Sequence, residues 1–282
     1  MSARCSPNGE LLAYSHGSAL SLARIDARAL SFAPVSEAQL HTRAINYIAW
    51  SPCGRHIVTG GDDGLVIVWR LENDKFNPRR VLRGHTAPVI CVSFDPKGVM
   101  VASGSRDQRV VVWSVQQGVL FKRFNAHGQP VTAVDFSYDS VLVLSASYDG
   151  LLRIWNLYDG FCVRSINVTG VLMPVLGARF TPNSEYVCVR YADSQTRLFY
   201  IEDKVVERVF GAADTPGPRL PCEFAFAGDR MYVTTESGVD VYNLQTQVLE
   251  RHLLDEPAVT VDVRDNFGVA AGPSGVKLFS LS

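Results

Sequence analysis

Ser103, His85 and Asp107 are the residue types of a hydrolase triad, and the chain carries such a set three times. His41, His85 and His127 are each followed 22 residues later by Asp63, Asp107 or Asp149. Four residues before each aspartate stands a hydroxyl or small residue (Thr59, Ser103, Ser145), and six residues after it a tryptophan (Trp69, Trp113, Trp155). A catalytic nucleophile must be exposed beside its base and an oxyanion site. A set repeated at fixed spacing, each time tied to a tryptophan, instead reads as an internal bonding network. The expectation is therefore no catalytic residue and no enzyme activity. Gly60-Gly61-Asp62-Asp63-Gly64 lacks both GxGxxG and the GK[ST] ending that would cradle phosphate, so it reads as a turn between strands. The cysteines at 5, 53, 91, 162, 188 and 222 form no CxxC pair. They read as reduced thiols, with no metal site and no cofactor implied.

The elements that hold these sets are short strands. Between His and Asp runs an apolar alternation that ends on an aromatic at Trp50, Phe94 or Phe136, then a turn (SPCG, DPKG, SYDS), then a second alternating run. Period-two patterning bounded by Gly, Pro, Asn and Asp is strand and turn chemistry. Weaker copies extend it, from Phe180 to Phe199, Phe224 to Tyr242 and Val263 to Phe279, and upstream from SPNG at 6–9 to Leu22. Third-strand anchors then fall at 22, 69, 113, 155, 199, 242 and 279, a mean period of about 43 residues. Copies after Trp155 lack the Gly-His and carry Phe or Tyr for Trp, so apolar packing is expected to dominate there.

Composition fits one globular domain over residues 1–282. Twenty-seven Lys and Arg face 28 Asp and Glu, and 47% of residues are hydrophobic, which excludes disorder or coiled coil as a global description. Near-neutral charge removes the footprint of a dedicated nucleic-acid binder. The densest basic stretch, Lys75, Arg79, Arg80 and Arg83, reads as a solvated loop, with a contact to nucleic acid or a nucleosome left open. No window reaches 18 consecutive apolar residues, so no membrane-spanning helix is expected. Asn167-Val168-Thr169 matches a glycosylation sequon that carries no meaning outside the secretory route.

The Gly84-His85 to Trp113 and Trp155-Asn156 spacing resembles the WD-repeat family, and seven such units resemble an all-β, seven-bladed propeller. In that family the first strand of the chain usually completes the last blade. Here only Met1 to Cys5 precede SPNG, so the last blade, running to Ser282, is expected to have three strands, with Val276 to Ser280 as an edge. The alternative is a natural chain that starts further upstream.

GHTAPVI at 84–90 and the stretch from Ser145 to Trp155, between Ala126-His127 and Tyr158-Asp159-Gly160, resemble the WD-repeat subunit of COMPASS-type histone lysine methyltransferases. The resemblance implies a non-catalytic scaffold in the nucleus. Its partners would be a second WD-repeat subunit and a separate SET-domain catalytic subunit, with no membrane or small-molecule substrate. It also implies two surfaces. A cleft between the fifth and sixth blades would hold an extended acidic and aliphatic segment of the sister subunit through Asn183, Tyr186, Leu198 and Gln245. Leu198→Asp is expected to abolish that docking without unfolding the ring. The mouth of the central channel, where animal members clamp an arginine between two rings, maps to Asp62, Ile90, Arg106, Tyr148, Cys222 and Phe224. Ile90 for one ring and a guanidinium at Arg106 weaken such a clamp, so arginine-peptide binding is expected to be weak or absent, as in fungal-type members. The rival expectation is a WD-repeat adaptor of another complex, such as a ubiquitin-ligase substrate receptor reading an acidic motif with Arg106 and Arg43.

Overall fold

A computed structural model describes residues 1–167, 173–201, 206–210, 222–246, 248–254, 256–264 and 267–281. Val168 and Thr169 of the sequon, Pro221 and Ser282 lie outside them. The described residues form 27 β-strands in seven antiparallel sheets. Blade one holds β1 (Ala3–Cys5), β2 (Leu11–His16), β3 (Ala19–Asp26) and β4 (Ser31–Gln39). Blade two holds β5 (Ile45–Trp50), β6 (His56–Gly61), β7 (Val66–Glu72) and β8 (Lys75–Leu82). Blade three holds β9 (Val89–Phe94), β10 (Met100–Ser105), β11 (Arg109–Ser114) and β12 (Val119–Asn125). Blade four follows with β13 (Val131–Phe136), β14 (Leu142–Ser147), β15 (Leu152–Asn156) and β16 (Cys162–Ile166). Blade five has β17 (Val175–Phe180), β18 (Tyr186–Tyr191), β19 (Thr196–Tyr200) and β20 (Val206–Phe210), and blade six has β21 (Phe224–Ala227), β22 (Arg230–Thr234), β23 (Val239–Asn243) and β24 (Leu249–Leu253). Blade seven has β25 (Thr260–Val263), β26 (Phe267–Gly272) and β27 (Gly275–Ser280).

Every sheet is a simple meander, so the fold is a seven-bladed propeller whose last blade has three strands, as the sequence predicts. A small sheet has two apolar faces and cannot hide both alone. Stacking hides them: seven apolar clusters occupy the seven boundaries between neighbouring blades, the last joining Phe267, Val269 and Ala271 to Ala3, Cys5 and Leu12. Polar bonds close the same boundary. The Cys5 amide donates to Asp262 Oδ2 at 2.9 Å, and Arg264 donates to Cys5 O at 2.8 Å and Ser6 O at 3.0 Å.

Register corrects three sequence assignments. Trp69 pairs with Ile57, as Ala23 pairs with Leu12, and a register shift falls just before both. The tryptophan position of blade one is therefore Ala23, with Leu22 facing the opposite way into the boundary with blade two. In blade six, Met231 pairs with both Phe226 and Tyr242, so Phe226, not Phe224, is the counterpart of Trp50. Lys75, Arg79 and Arg80 of the basic stretch lie not in a loop but on the outer strand β8, with Arg83 just after it. An outer strand is solvated on one face, so Lys75 and Arg80 stand exposed while Phe76 and Leu82 are buried, without breaking the ladder.

Candidate functional site

The three repeated sets are built alike. His41 Nδ1 lies 3.0 Å from Asp63 and Nε2 2.7 Å from Thr59 Oγ1, which accepts from Trp69 Nε1 at 2.9 Å. The second set reads 2.9 Å to Asp107, 2.8 Å to Ser103 and 2.8 Å from Trp113 Nε1, and the third 3.0 Å to Asp149, 2.8 Å to Ser145 and 2.9 Å from Trp155 Nε1. An Nδ1–H given to the aspartate leaves Nε2 to accept from the hydroxyl, and the hydroxyl oxygen accepts from the indole. Ser103 is fully buried and its oxygen is already engaged, so no substrate carbonyl can reach it. The aspartates also take backbone N–H bonds from Thr42, Thr86 and Gly128 at the entry to each blade. Blade five drops the set. Val189 and Phe199 take the hydroxyl and tryptophan places in an apolar cluster, and Asp193 pairs with Arg197 at 2.5 Å.

These networks are expected to make the ring acid-sensitive. Burial pushes the His41 and His127 imidazoles below their ordinary range, with the neighbouring aspartates pulling the other way. Burial would raise Asp107, but bonds from His85 and the Thr86 amide outweigh it and hold the carboxyl at about 2. Asp63 and Asp149 are likewise held down. Each shift means that the unfolded chain binds more protons than the folded one, so stability falls as pH falls. The histidine part is lost as pH drops below about 6.5, and the aspartate part below about 4. Asp135, raised by burial, acts oppositely. Thermal melts are expected to show a falling midpoint from pH 7 to 4; a flat profile would contradict the tetrad account.

The central channel opens at one end into a cavity of about 540 Å³ and at the other into one of about 430 Å³. Five of the six predicted mouth residues, Ile90, Arg106, Tyr148, Cys222 and Phe224, line the larger cavity. Asp62 stands beside it, accepting 2.8 Å from Asn46 Nδ2, and that amide also donates to Val89 O of the next blade. Phe224 offers little ring to a ligand: it is 2% exposed and packs with Leu198 and Met231 between blades five and six. Arg106 is exposed at the rim.

Sequence reading missed the groups that span the channel. Arg4 of β1 pairs with Glu223, just before β21, and lies 4.9 Å over the Tyr47 ring. Glu223 Oε2 also accepts from the Val261 amide at 3.3 Å, so one carboxylate ties blades six, seven and one. Burial opposes the Arg4 charge, but Glu223, Tyr47 and Asp262 outweigh it and raise its pKa. Asp135 accepts from Ser93 Oγ at 3.1 Å and the Phe180 amide at 3.0 Å, with Arg179 at 3.9 Å reaching on to Phe224 O at 2.7 Å. A signal existed: Arg4, Asp135, Arg179 and Asp262 are charged residues between apolar ones, each one residue before the end of an inner strand.

The other predicted surface is spread over two blades. Asn183 sits in the turn between β17 and β18 and Gln245 in the turn between β23 and β24, both at the end of the ring reached by first and third strands. Tyr186 is half-buried at the start of β18, its ring 5.4 Å from Tyr200, and borders the boundary cluster that holds Leu198. Asn183 accepts from Thr181 Oγ1 at 2.7 Å and donates to Glu185 at 2.7 Å; Gln245 Nε2 donates to Asp229 at 2.9 Å. Leu198 is 4% exposed beside Phe210 and Cys222. An aspartate there would bury a carboxylate with no partner, so Leu198→Asp unfolds the boundary and cannot isolate docking. Asn183 and Gln245 are exposed and Tyr186 half-buried, so these three are the accessible members.

A family model described as WD domain, G-beta repeat matches residues 33–70, 76–114 and 118–156. Each match begins within or just before the outer strand of one blade and runs into the third strand of the next. Residues 33–156 are thus WD40 repeats within a seven-bladed β-propeller. No curated protein matches the chain.

Proposed function

We propose that this propeller is a scaffold that docks an extended segment of another protein, and that the assembly is a COMPASS-type methyltransferase acting on lysine four of the histone-three tail. WD40 propellers are interaction modules without catalysis, and the buried, fully engaged hydroxyls of the tetrads support that role here. The single observation that carries the docking site is the boundary of blades five and six. There two accessible amides, Asn183 and Gln245, stand at one end of the ring beside the half-buried Tyr186 and an apolar cluster. Amides bond an extended backbone while the aromatic supplies apolar contact. The COMPASS assignment rests on the resemblance at 84–90 and 145–155. It implies a nuclear location, a second WD-repeat subunit at the boundary and a separate SET-domain subunit for chemistry. Purification of the protein from its own cells, with mass spectrometry of what accompanies it, tests the assignment. A SET-domain protein and a second WD-repeat protein are expected; a ubiquitin ligase in their place would favour the adaptor reading, in which the exposed Arg43 and Arg106 read an acidic motif.

A further inference from the structure

Six blades have a fourth strand, and it is docked by one rule. The residue three before the tryptophan position on the third strand faces Ala38, Leu82, Phe124, Ile166, Phe210 or Leu253. Each of these is an apolar anchor that packs against the tryptophan position of the next blade. Leu82 shares a cluster with Trp113, Phe124 lies 4.9 Å from the Trp155 ring, and Phe210 lies 5.5 Å from Tyr242. Two residues before the anchor, five of the six strands carry a basic side chain: Arg80, Lys122, Arg164, Arg208 and Arg251. In two of them the head reaches a carbonyl in the next blade's turn, Arg80 to Gln116 O at 3.2 Å and Lys122 to Tyr158 O at 3.0 Å. Gly118 and Gly160, both at positive φ, make room for the stems, since a Cβ would crowd them. In blade one Ser36 makes the equivalent bond to Asp74 O at 2.7 Å.

Blade seven has the receptor without the strand. Val276 and Leu278, in the positions that elsewhere face the anchor and the basic residue, are half-buried, and among the described residues no strand pairs with the outer edge of β27. Both border the apolar cluster of blades seven and one. The neighbouring turn, residues 27–30, offers carbonyls at the equivalent place and begins after the exposed carboxylate of Asp26. The ring is already closed through Arg264 and Asp262, so this edge is not consumed in holding the blades together.

We infer that β27 is a docking edge for an extended segment of a separate protein, antiparallel to it and patterned basic-x-apolar. The apolar side chain covers Val276 and the basic stem lies across Leu278 toward the blade-one turn. Main-chain bonds to the edge supply affinity and the two side chains supply selection. A second copy of the chain does not fit. Its own Lys277 and Phe279 have the spacing, but Phe279 is buried between blades six and seven and Lys277 is held by Glu256 at 2.7 Å.

A synthetic peptide with the sequence of residues 119–125, which carries Lys122 and Phe124, is the probe. Added to the intact protein it is expected to bind saturably and to slow amide exchange at residues 276–279 by about tenfold or more. The same peptide with aspartate in the Phe124 place is expected to bind at least about tenfold more weakly. No saturation, binding that leaves those amides unchanged, or equal affinity of the two peptides would overturn the proposal. So would protection of the edge before any peptide is added, whether by a dimer seen in light scattering or by a further segment of the same chain. A Val276→Asp protein that keeps its melting midpoint but loses the peptide would add the receptor side.

Discussion

Trp113→Ala is expected to lower the unfolding midpoint by roughly 10 °C, from a loss of about 3–5 kcal/mol. The side chain is 2% exposed and fills the boundary between blades two and three against Val58, Val66 and Leu82. Deleting it leaves a cavity that two rigid sheets cannot collapse into, and it also removes the donor to Ser103. The bond and the volume can be separated. Trp113→Phe keeps most of the volume and loses the indole N–H with part of the ring, at a cost of about 1–2 kcal/mol. Ser103→Ala leaves both His85 Nε2 and Trp113 Nε1 buried without a partner and is expected to fall between the two. Urea titrations of the three variants should give that order. A Trp113→Ala protein as stable as the parent would show that the blades do not depend on their anchors.

Glu223→Ala is expected to cost about 3–5 kcal/mol, because it leaves the buried Arg4 guanidinium without its counter-charge. Arg4 would keep the Ala3 carbonyl at 3.0 Å and the Tyr47 face, neither of which neutralises it. Blade seven would also lose the acceptor for the Val261 amide. Replacing both partners, as Arg4→Met with Glu223→Leu, removes the buried charges together and is expected to recover most of the loss. The double-mutant cycle should then show a coupling of well over about 1 kcal/mol. Additive losses would mean that the pair does not clasp the point where the last blades meet the first.

Blades two to four were legible because His, hydroxyl, Asp and Trp recur there at one spacing, and each is needed for the same bonds. The register of blade one was not, because its tryptophan position is Ala23, which gives no signal beside the larger Leu22. In blade six, without a Gly-His to fix the register, the sequence reading took Phe224 as the inner aromatic, and the pairing through Met231 moves it to Phe226. The channel charges escaped for the opposite reason. A search for repeats keeps what blades share, whereas Arg4, Ser93, Asp135, Arg179 and Asp262 differ at one register so that they can bond across boundaries. The candidate cleft came from the family resemblance, which matches residue types at positions and not their burial. Type does not distinguish an accessible Gln245 from a Leu198 buried within the boundary it helps to form.

The docking site at blades five and six is tested most directly by capture of the sister WD-repeat subunit on three proteins: the parent, Tyr186→Ala and Gln245→Ala, each first shown to melt as the parent does. An extended segment held there should be captured by the parent and lost by about tenfold or more with either variant. Undiminished capture by both variants would remove the boundary of blades five and six from the binding surface, and the scaffold role proposed for it would have to be sought elsewhere on the ring.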